Sequence, residues 1–198
     1  MKVCAFYTND KYKRLAERMK ASAEALGLSV HLKEYPEVPA WSAALRIKVV
    51  FIGEMLNSQT EDILYLDADT WVERRPDVLL TPGDFDIGMG YVLPGHPHGC
   101  AMFFRNNVKV KALQKRWLEM FDLYPGIKLD ETLLEYTILE FKRQGLIVKT
   151  LPPAYGWMEY MKPRFPGAVP IIHHLGAGEG SDKREVFLHP TSPYREVV

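Results

Sequence analysis

Residues 63–72 read Ile-Leu-Tyr-Leu-Asp-Ala-Asp-Thr-Trp-Val, so an apolar run passes directly into Asp67 and Asp69 without a linker. In an extended backbone, side chains two residues apart project to the same side, and both carboxylates can then face one small ion or its water shell. Two hard oxygen ligands suit Mg²⁺ or Mn²⁺, which are usually completed by water and phosphate oxygens instead of a full protein cage. The pair therefore implies a phosphorylated ligand. Two aspartates one apart also occur as plain turn caps at strand ends. The apolar run before them favours chemistry, because buried strands of open α/β sheets end in clefts at their carboxyl ends.

Such a pair needs a sheet to hold it. Residues 3–7 predict a buried strand, Thr8-Asn9-Asp10 supplies turn and N-cap chemistry, and Tyr12, Leu15, Met19, Ala23 and Leu26 recur at helical spacing up to Gly27. A strand at 29–35 completes a β-α-β opening. After a turn at 36–39, Ser42 can cap a helix with the stripe Leu45, Val49, Ile52 and Leu56, and polar Asn57-Ser58-Gln59-Thr60 ends it. Residues 63–66 read as a strand inside a mostly parallel sheet. Residues 85–92 and 99–104 predict two strands forming a smaller, partly antiparallel ribbon. Helices follow around 110–121 and 130–144, closed by Pro125-Gly126 and Gly145, with late strands at 146–151 and 169–172. The tail from His173 onward reads as a loop with no element of its own. The expected fold class is α/β, a mostly parallel sheet flanked by helices, with a small antiparallel ribbon, in one domain over residues 1–198.

Composition narrows the partners. With 47% hydrophobic residues in 198, the chain can bury one sizeable core. Its 25 basic residues balance 25 acidic ones, so no general positive field exists to hold a nucleic-acid polymer. Cys4 and Cys100 are too few for a disulfide framework and read as reduced thiols in a cytoplasmic setting. The apolar start at residues 3–7 is too short for a signal peptide, and no stretch approaches bilayer length, so no transmembrane segment is expected.

The run Ile63 to Val72 resembles the metal-binding strand of glycosyltransferases with the GT-A fold, and the order of motifs along the chain resembles the glycogenin and galactosyltransferase-like family. That resemblance implies roles for several residues. Tyr7-Thr8 would dock the nucleotide base and ribose; Lys48 matches a lysine on the helix before the D-x-D strand; and Ile171-Ile172-His173-His174-Leu175-Gly176 matches a strand ending in H-x-x-G, whose histidine is the third metal ligand beside Asp67 and Asp69. Register with that motif selects His173, and adjacent strand residues face opposite sides, so one of His173 and His174 reaches the ion. A neutral imidazole beside two carboxylates is a set Mn²⁺ accepts. Gly176, Gly178 and Gly180 would let backbone approach the phosphates. The family's Lys-Pro-Trp after H-x-x-G is missing, and Lys183 lies further on as a possible substitute against the diphosphate. Asp130-Glu131 stands where relatives carry an acidic residue that contacts sugar or acceptor, although Asp130 also suits an N-cap. Residues 99–106 resemble the strand beside the sugar pocket.

The implied activity is metal-dependent transfer, with Mn²⁺ or Mg²⁺, from a nucleotide-diphosphate sugar, a UDP-sugar favoured, to an acceptor hydroxyl on a saccharide, protein or lipid-linked molecule. Tyr155, Trp157 and Tyr160 form an aromatic loop suited to acceptor binding. His96 and His98 flank Pro97 at a spacing that fits a second metal or plain polar surface. Trp117, Phe121, Met102 and Phe104 read as core. Three other classes compete. A haloacid-dehalogenase-like phosphatase would use Asp67 as nucleophile and Asp69 as general acid, but Trp71 stands where it needs Thr or Val. A nucleotidyltransferase would need glycines where Lys11-Tyr12-Lys13-Arg14 follows the first strand. A non-catalytic nucleotide- or sugar-binding module shares every motif.

Overall fold

Alternation of side chains along the strands divides the core into two layers. The computed structural model of the chain describes residues 1–81, 83–93, 96–127 and 129–175. In β1 (Lys2–Tyr7), Cys4 joins one core cluster while Val3 and Ala5 join the other. In β3 (Ile63–Leu66), Ile63 and Tyr65 divide from Leu64 and Leu66 in the same way. All four β3 residues are at most 1% exposed, so the strand has no wet face and requires a continuous apolar run.

Six strands form the main sheet in the order β2-β1-β3-β6-β5-β7, with β2 at Val30–Glu34, β5 at Ile87–Leu93, β6 at His96–Phe104 and β7 at Val148–Thr150. β1 pairs in parallel with β2 and β3, β5 pairs in parallel with β7, and only β6 runs against its neighbours. One face carries α2 (Trp41–Ser58), α4 (Val108–Leu123) and α5 (Asp130–Lys142), which bring Val49, Ile52, Leu113, Trp117 and Leu134 onto Tyr65, Met89 and Met102. The other carries α1 (Asp10–Glu24), α3 (Asp77–Leu80) and a 3₁₀ turn at Pro153–Gly156, which supply Met19, Ala23, Leu79 and Tyr155.

The antiparallel ribbon has a different origin from the one the sequence predicts. β5 and β6 belong to the main sheet because both faces of the pair are buried, with Met89 and Met102 on one side and Phe103 on the other; an isolated two-stranded ribbon would leave one face wet. The small antiparallel sheet pairs β4 (Thr70–Val72) with β8 (Ile172–His174), so His173 and His174 lie in a strand and not in a terminal loop.

The helix ends follow local chemistry. Asn9 Oδ1 accepts from the Tyr12 N–H at 3.1 Å and Asn107 Oδ1 from the Val110 N–H at 2.9 Å. Gly27 (φ 74°) and Gly145 (φ 81°) end α1 and α5 in the left-handed region. The N–H groups of Leu28 and Leu146 then reach back to the Ala23 and Phe141 carbonyls, and both leucines bury themselves. Ser42 is not a cap: α2 begins one residue earlier, behind Ala40, without a side-chain cap bond. Met102, Phe104 and Trp117 are core, and Phe121 packs against it. Among the described residues no helix is long and apolar enough to cross a membrane.

Because β3 is the strand that delivers the acidic pair, its packing can be tested alone. Leu64→Ala should lower unfolding stability by about 2–5 kcal/mol through lost burial and a residual cavity. Urea unfolding should show a lower midpoint with an unchanged m value, and a loss below about 1 kcal/mol would mean that β3 is not packed on both faces.

Candidate active site

The acidic pair sits in a turn, not in extended strand. The Thr70 N–H and Oγ1 both donate to the Asp67 carbonyl, at 3.1 and 2.8 Å, and so fold residues 67–70 back as soon as β3 ends. The Asp67 N–H still donates to the Cys100 carbonyl of β6 at 2.8 Å, which holds the start of the turn against the sheet. The two carboxylates remain close: single ligand atoms of Asp67, Asp69 and His174 all lie within 4.8 Å of one another. A six-coordinate Mg²⁺ with bonds of about 2.1 Å spans about 4.2 Å between opposite ligands, so small side-chain adjustments would close this set on an ion.

Behind the pair lies a buried ammonium. Lys48 of α2 is 5% exposed, with Nζ 3.3 Å from Asp67 Oδ1 and 3.1 Å from Asp130 Oδ2. Burial pulls its pKa down, but the charges of Asp130, Asp67 and Glu131 outweigh this and hold it above the ordinary lysine value. Asp67 Oδ1 also accepts from the Tyr65 hydroxyl at 2.7 Å. Burial opposes ionisation of Asp67, yet Lys48, His174 and the Tyr65 hydrogen bond win and keep its pKa below the usual value. Tyr65, buried and facing Asp67, has its own pKa raised and acts as a donor.

Asp130 and Glu131 begin α5, but Asp130 is not the N-cap. Leu129 holds that position, and the Asp130 carboxylate turns inward to Lys48 while its carbonyl accepts from Trp117 Nε1 at 3.0 Å. Glu131 Oε1 accepts from the Gly99 N–H at 2.8 Å. A side chain at Gly99 would meet Glu131 Oε1 at 3.1 Å and Lys48 Nζ at 3.3 Å, so the small residue at this point of β6 is what admits the cluster. Burial, and then the charge of Asp130, raise the Glu131 pKa to about 7, with Lys48 and the Gly99 N–H pulling the other way.

His174, and not His173, faces the pair. β4 and β8 place Thr70 opposite His174 and Trp71 opposite His173, so alternation sends the two histidines to different sides. Thr70 is fully buried, and on its side His174 Nε2 lies 3.2 Å from Asp69 Oδ1. His173 stacks on the Trp71 ring at 4.1 Å, lies near Glu73 and Glu159, and is turned away from Asp67 and Asp69. β8 is tied on its other side by the His174 N–H to the Trp157 carbonyl at 2.7 Å, and the Leu175 N–H donates to the Asp69 carbonyl at 3.1 Å.

The remaining candidates scatter around this centre. Tyr7 ends β1 and its hydroxyl donates to Glu34 at 3.3 Å. Thr8 lines an open cleft of about 830 Å³ at the carboxyl ends of β1 and β2, with Asp10, Lys11, Glu34, Tyr35 and Glu37. Tyr12, absent from the sequence-based candidates, has its pKa raised by burial and then by the charges of Asp69 and Asp67. Tyr155 and Trp157 are 2% and 3% exposed and pack into the core, so they offer no stacking platform to an acceptor. Gly176, Gly178, Gly180 and Lys183 lie outside the described residues, as do the side chains of His96 and Tyr160.

No protein-family model and no curated protein matches the sequence. Solved structures do. A glycosyltransferase involved in the glycosylation of the major capsid of PBCV-1 aligns with TM-score 0.68 and 12% identity over 88% of this chain and 94% of its own. The glycosyltransferase GlyE of Streptococcus pneumoniae TIGR4 aligns with TM-score 0.59 and 17% identity over 88% of this chain and 55% of its own, so the chain spans about half its length. The apo form of GlyE aligns with TM-score 0.59 and 14% identity, covering 87% of this chain and 53% of its own. The α/β arrangement of this chain is the fold of these glycosyltransferases.

Proposed function

We propose that the chain is a metal-dependent glycosyltransferase that moves a sugar from a nucleotide-diphosphate sugar, a UDP-sugar by preference, to an acceptor hydroxyl. The observation that carries this reading is the convergence of Asp67, Asp69 and His174 at the carboxyl end of β3, within a fold shared with glycosyltransferases. These three residues would hold Mn²⁺ or Mg²⁺; when bound, such a cation supplies Lewis-acid neutralisation of the departing nucleoside diphosphate. Tyr65 and Lys48 both engage Oδ1 of Asp67, which leaves Oδ2 for an ion.

The other residues divide the donor and acceptor. Asp10, Glu34 and Glu37 against Lys11 make the cleft acidic, so it favours ribose and base groups that donate hydrogen bonds and repels phosphate. That fits Tyr7 and Thr8 to the nucleoside and directs the diphosphate toward Asp67 and Asp69, with Gly176 and Lys183 as further candidates for phosphate contact. Lys48 acts by fixing Asp67 and Asp130 and is a positioning residue. Glu131, with a pKa raised to about 7, is half protonated near neutrality and suited to exchange a proton with an acceptor hydroxyl. The acceptor is a saccharide, a protein or a lipid-linked molecule, and two free thiols suit a cytoplasmic setting.

Thermal unfolding with UDP, GDP, ADP or TDP, with and without Mn²⁺, tests the donor site. One nucleotide should stabilise the wild type only when Mn²⁺ is present, by about 2.7 kcal/mol at a hundredfold excess over its Kd, and Asp69→Ala should abolish the shift. Stabilisation by UDP without turnover of any UDP-sugar would favour the binding module, and no shift with any nucleotide would overturn the reading.

Glu131 gives a pH signature. Its carboxyl has a pKa near 4.5 in the unfolded chain and about 7 in the fold, so the folded protein binds the extra proton. Its contribution to stability is present below pH 4.5 and is lost as pH rises through 7. Glu131→Gln should therefore gain stability relative to wild type between pH 5 and pH 8, by about 1–3 kcal/mol in urea unfolding. A difference that does not change with pH would contradict a buried, protonated Glu131.

A further inference from the structure

We propose that His98, Cys100 and His174 form a second cation site, selective for a thiophilic ion such as Zn²⁺, and that filling it withdraws His174 from Asp67 and Asp69. Ligand atoms of the three residues lie within 4.8 Å of one another. Cys100 Sγ is 3.4 Å from His98 Nδ1. Tetrahedral Zn²⁺, with bonds of about 2.3 Å to sulfur and about 2.0–2.1 Å to nitrogen, holds such atoms about 3.5 Å apart, so this pair already has the length of one tetrahedral edge. The ring centroids of His98 and His174 are 5.4 Å apart at 60°, which brings the second imidazole to the same place.

The sheet preorganises the trio. His98 and Cys100 are two apart on β6 and project together. The backbone at Gly156 packs directly on them, since a Cβ there would lie 2.8 Å from His98 Nδ1 and 3.0 Å from Cys100 Sγ. One thiolate and two imidazoles prefer Zn²⁺, whereas two carboxylates and one imidazole accept Mg²⁺ or Mn²⁺. Binding exchanges the Cys100 thiol proton for the cation, and the proton leaves to solvent. The proposed transfer chemistry uses neither His98 nor Cys100, while both ligand sets draw on His174. One imidazole cannot serve both sets without holding two dications within a ring's width of each other. Zn²⁺ is then an inhibitor that acts beside the donor cation; this consequence, unlike the site itself, rests on the transferase reading.

Co²⁺ keeps the tetrahedral preference of Zn²⁺ and reports thiolate ligation by a near-ultraviolet charge-transfer band. Titrated into the full chain, it should produce that band at one equivalent, and Zn²⁺ should displace it. Cys100→Ser should abolish the band, and His98→Gln should weaken Co²⁺ affinity at least tenfold, with circular dichroism showing both variants folded. Mn²⁺ bound to wild type, followed by electron paramagnetic resonance, should be released by Zn²⁺ and retained in Cys100→Ser. Co²⁺ binding without a thiolate band, a band that survives Cys100→Ser, or Zn²⁺ and Mn²⁺ bound together would each overturn the proposal. A Cys100-dependent band in a protein that never binds Mn²⁺ would uphold the thiolate site and count against the transferase reading instead.

Discussion

Lys48 ties the end of β3 to the start of α5. Its ammonium is buried between Asp67 and Asp130, with Glu131 close by; the Asp67 carboxylate is held again by the Tyr65 hydroxyl and that of Glu131 by the Gly99 N–H, while Trp117 Nε1 holds the Asp130 backbone carbonyl. Removing one partner of a buried ion pair costs about 3–5 kcal/mol, because the charge left behind has lost water and gained nothing. The cluster is therefore a constraint on the whole site: α2, β3, β6 and α5 must all arrive at one point, or a charge is stranded. It also keeps Asp67 ionised, with Oδ1 engaged by Lys48 and Tyr65.

The second half of the site comes from a much weaker element. β4 and β8 are three residues each, and their pairing alone decides which histidine faces inward. The sheet is supported from below by the Val72 N–H donating to Ser22 Oγ of α1 and from the side by Trp157. Trp71 is held between Arg18 and His173, with the guanidinium 4.5 Å from its ring on one contact and the imidazole 4.1 Å away on another, so the outward face of this register is filled as well. A slip of one residue would turn His173 toward Asp69 and His174 toward Trp71.

Much of this was legible in the sequence where one element suffices. The doubly buried β3, Asp67 and Asp69 at its end, the Asn9 turn, and Gly27 and Gly145 as helix stops all follow from local patterns. Features set by two distant elements were not. Register with H-x-x-G selected His173, whereas β4 opposite β8 selects His174; the Thr70-Trp71-Val72 run, β-branched and aromatic, was the available signal for that extra strand. Lys48 matched a family lysine among the donor-binding residues, yet it falls on the apolar stripe of α2 beside Leu45, Val49 and Ile52, and a lysine on a buried stripe demands buried partners. Asp130 before an amphipathic helix looked like a cap for the same reason: its partner is on another helix. The β5–β6 pair looked like a separate ribbon until both of its faces were seen to be apolar.

The ligand assignment is the point at which this account differs most sharply from motif alignment, and one titration separates the two. Calorimetric titration of Mn²⁺ with UDP should show a single site in the wild type, at least a tenfold loss of affinity in His174→Ala, and near wild-type affinity in His173→Ala. The reverse order of the two variants, or equal affinity in both, would contradict a cation site built from Asp67, Asp69 and His174.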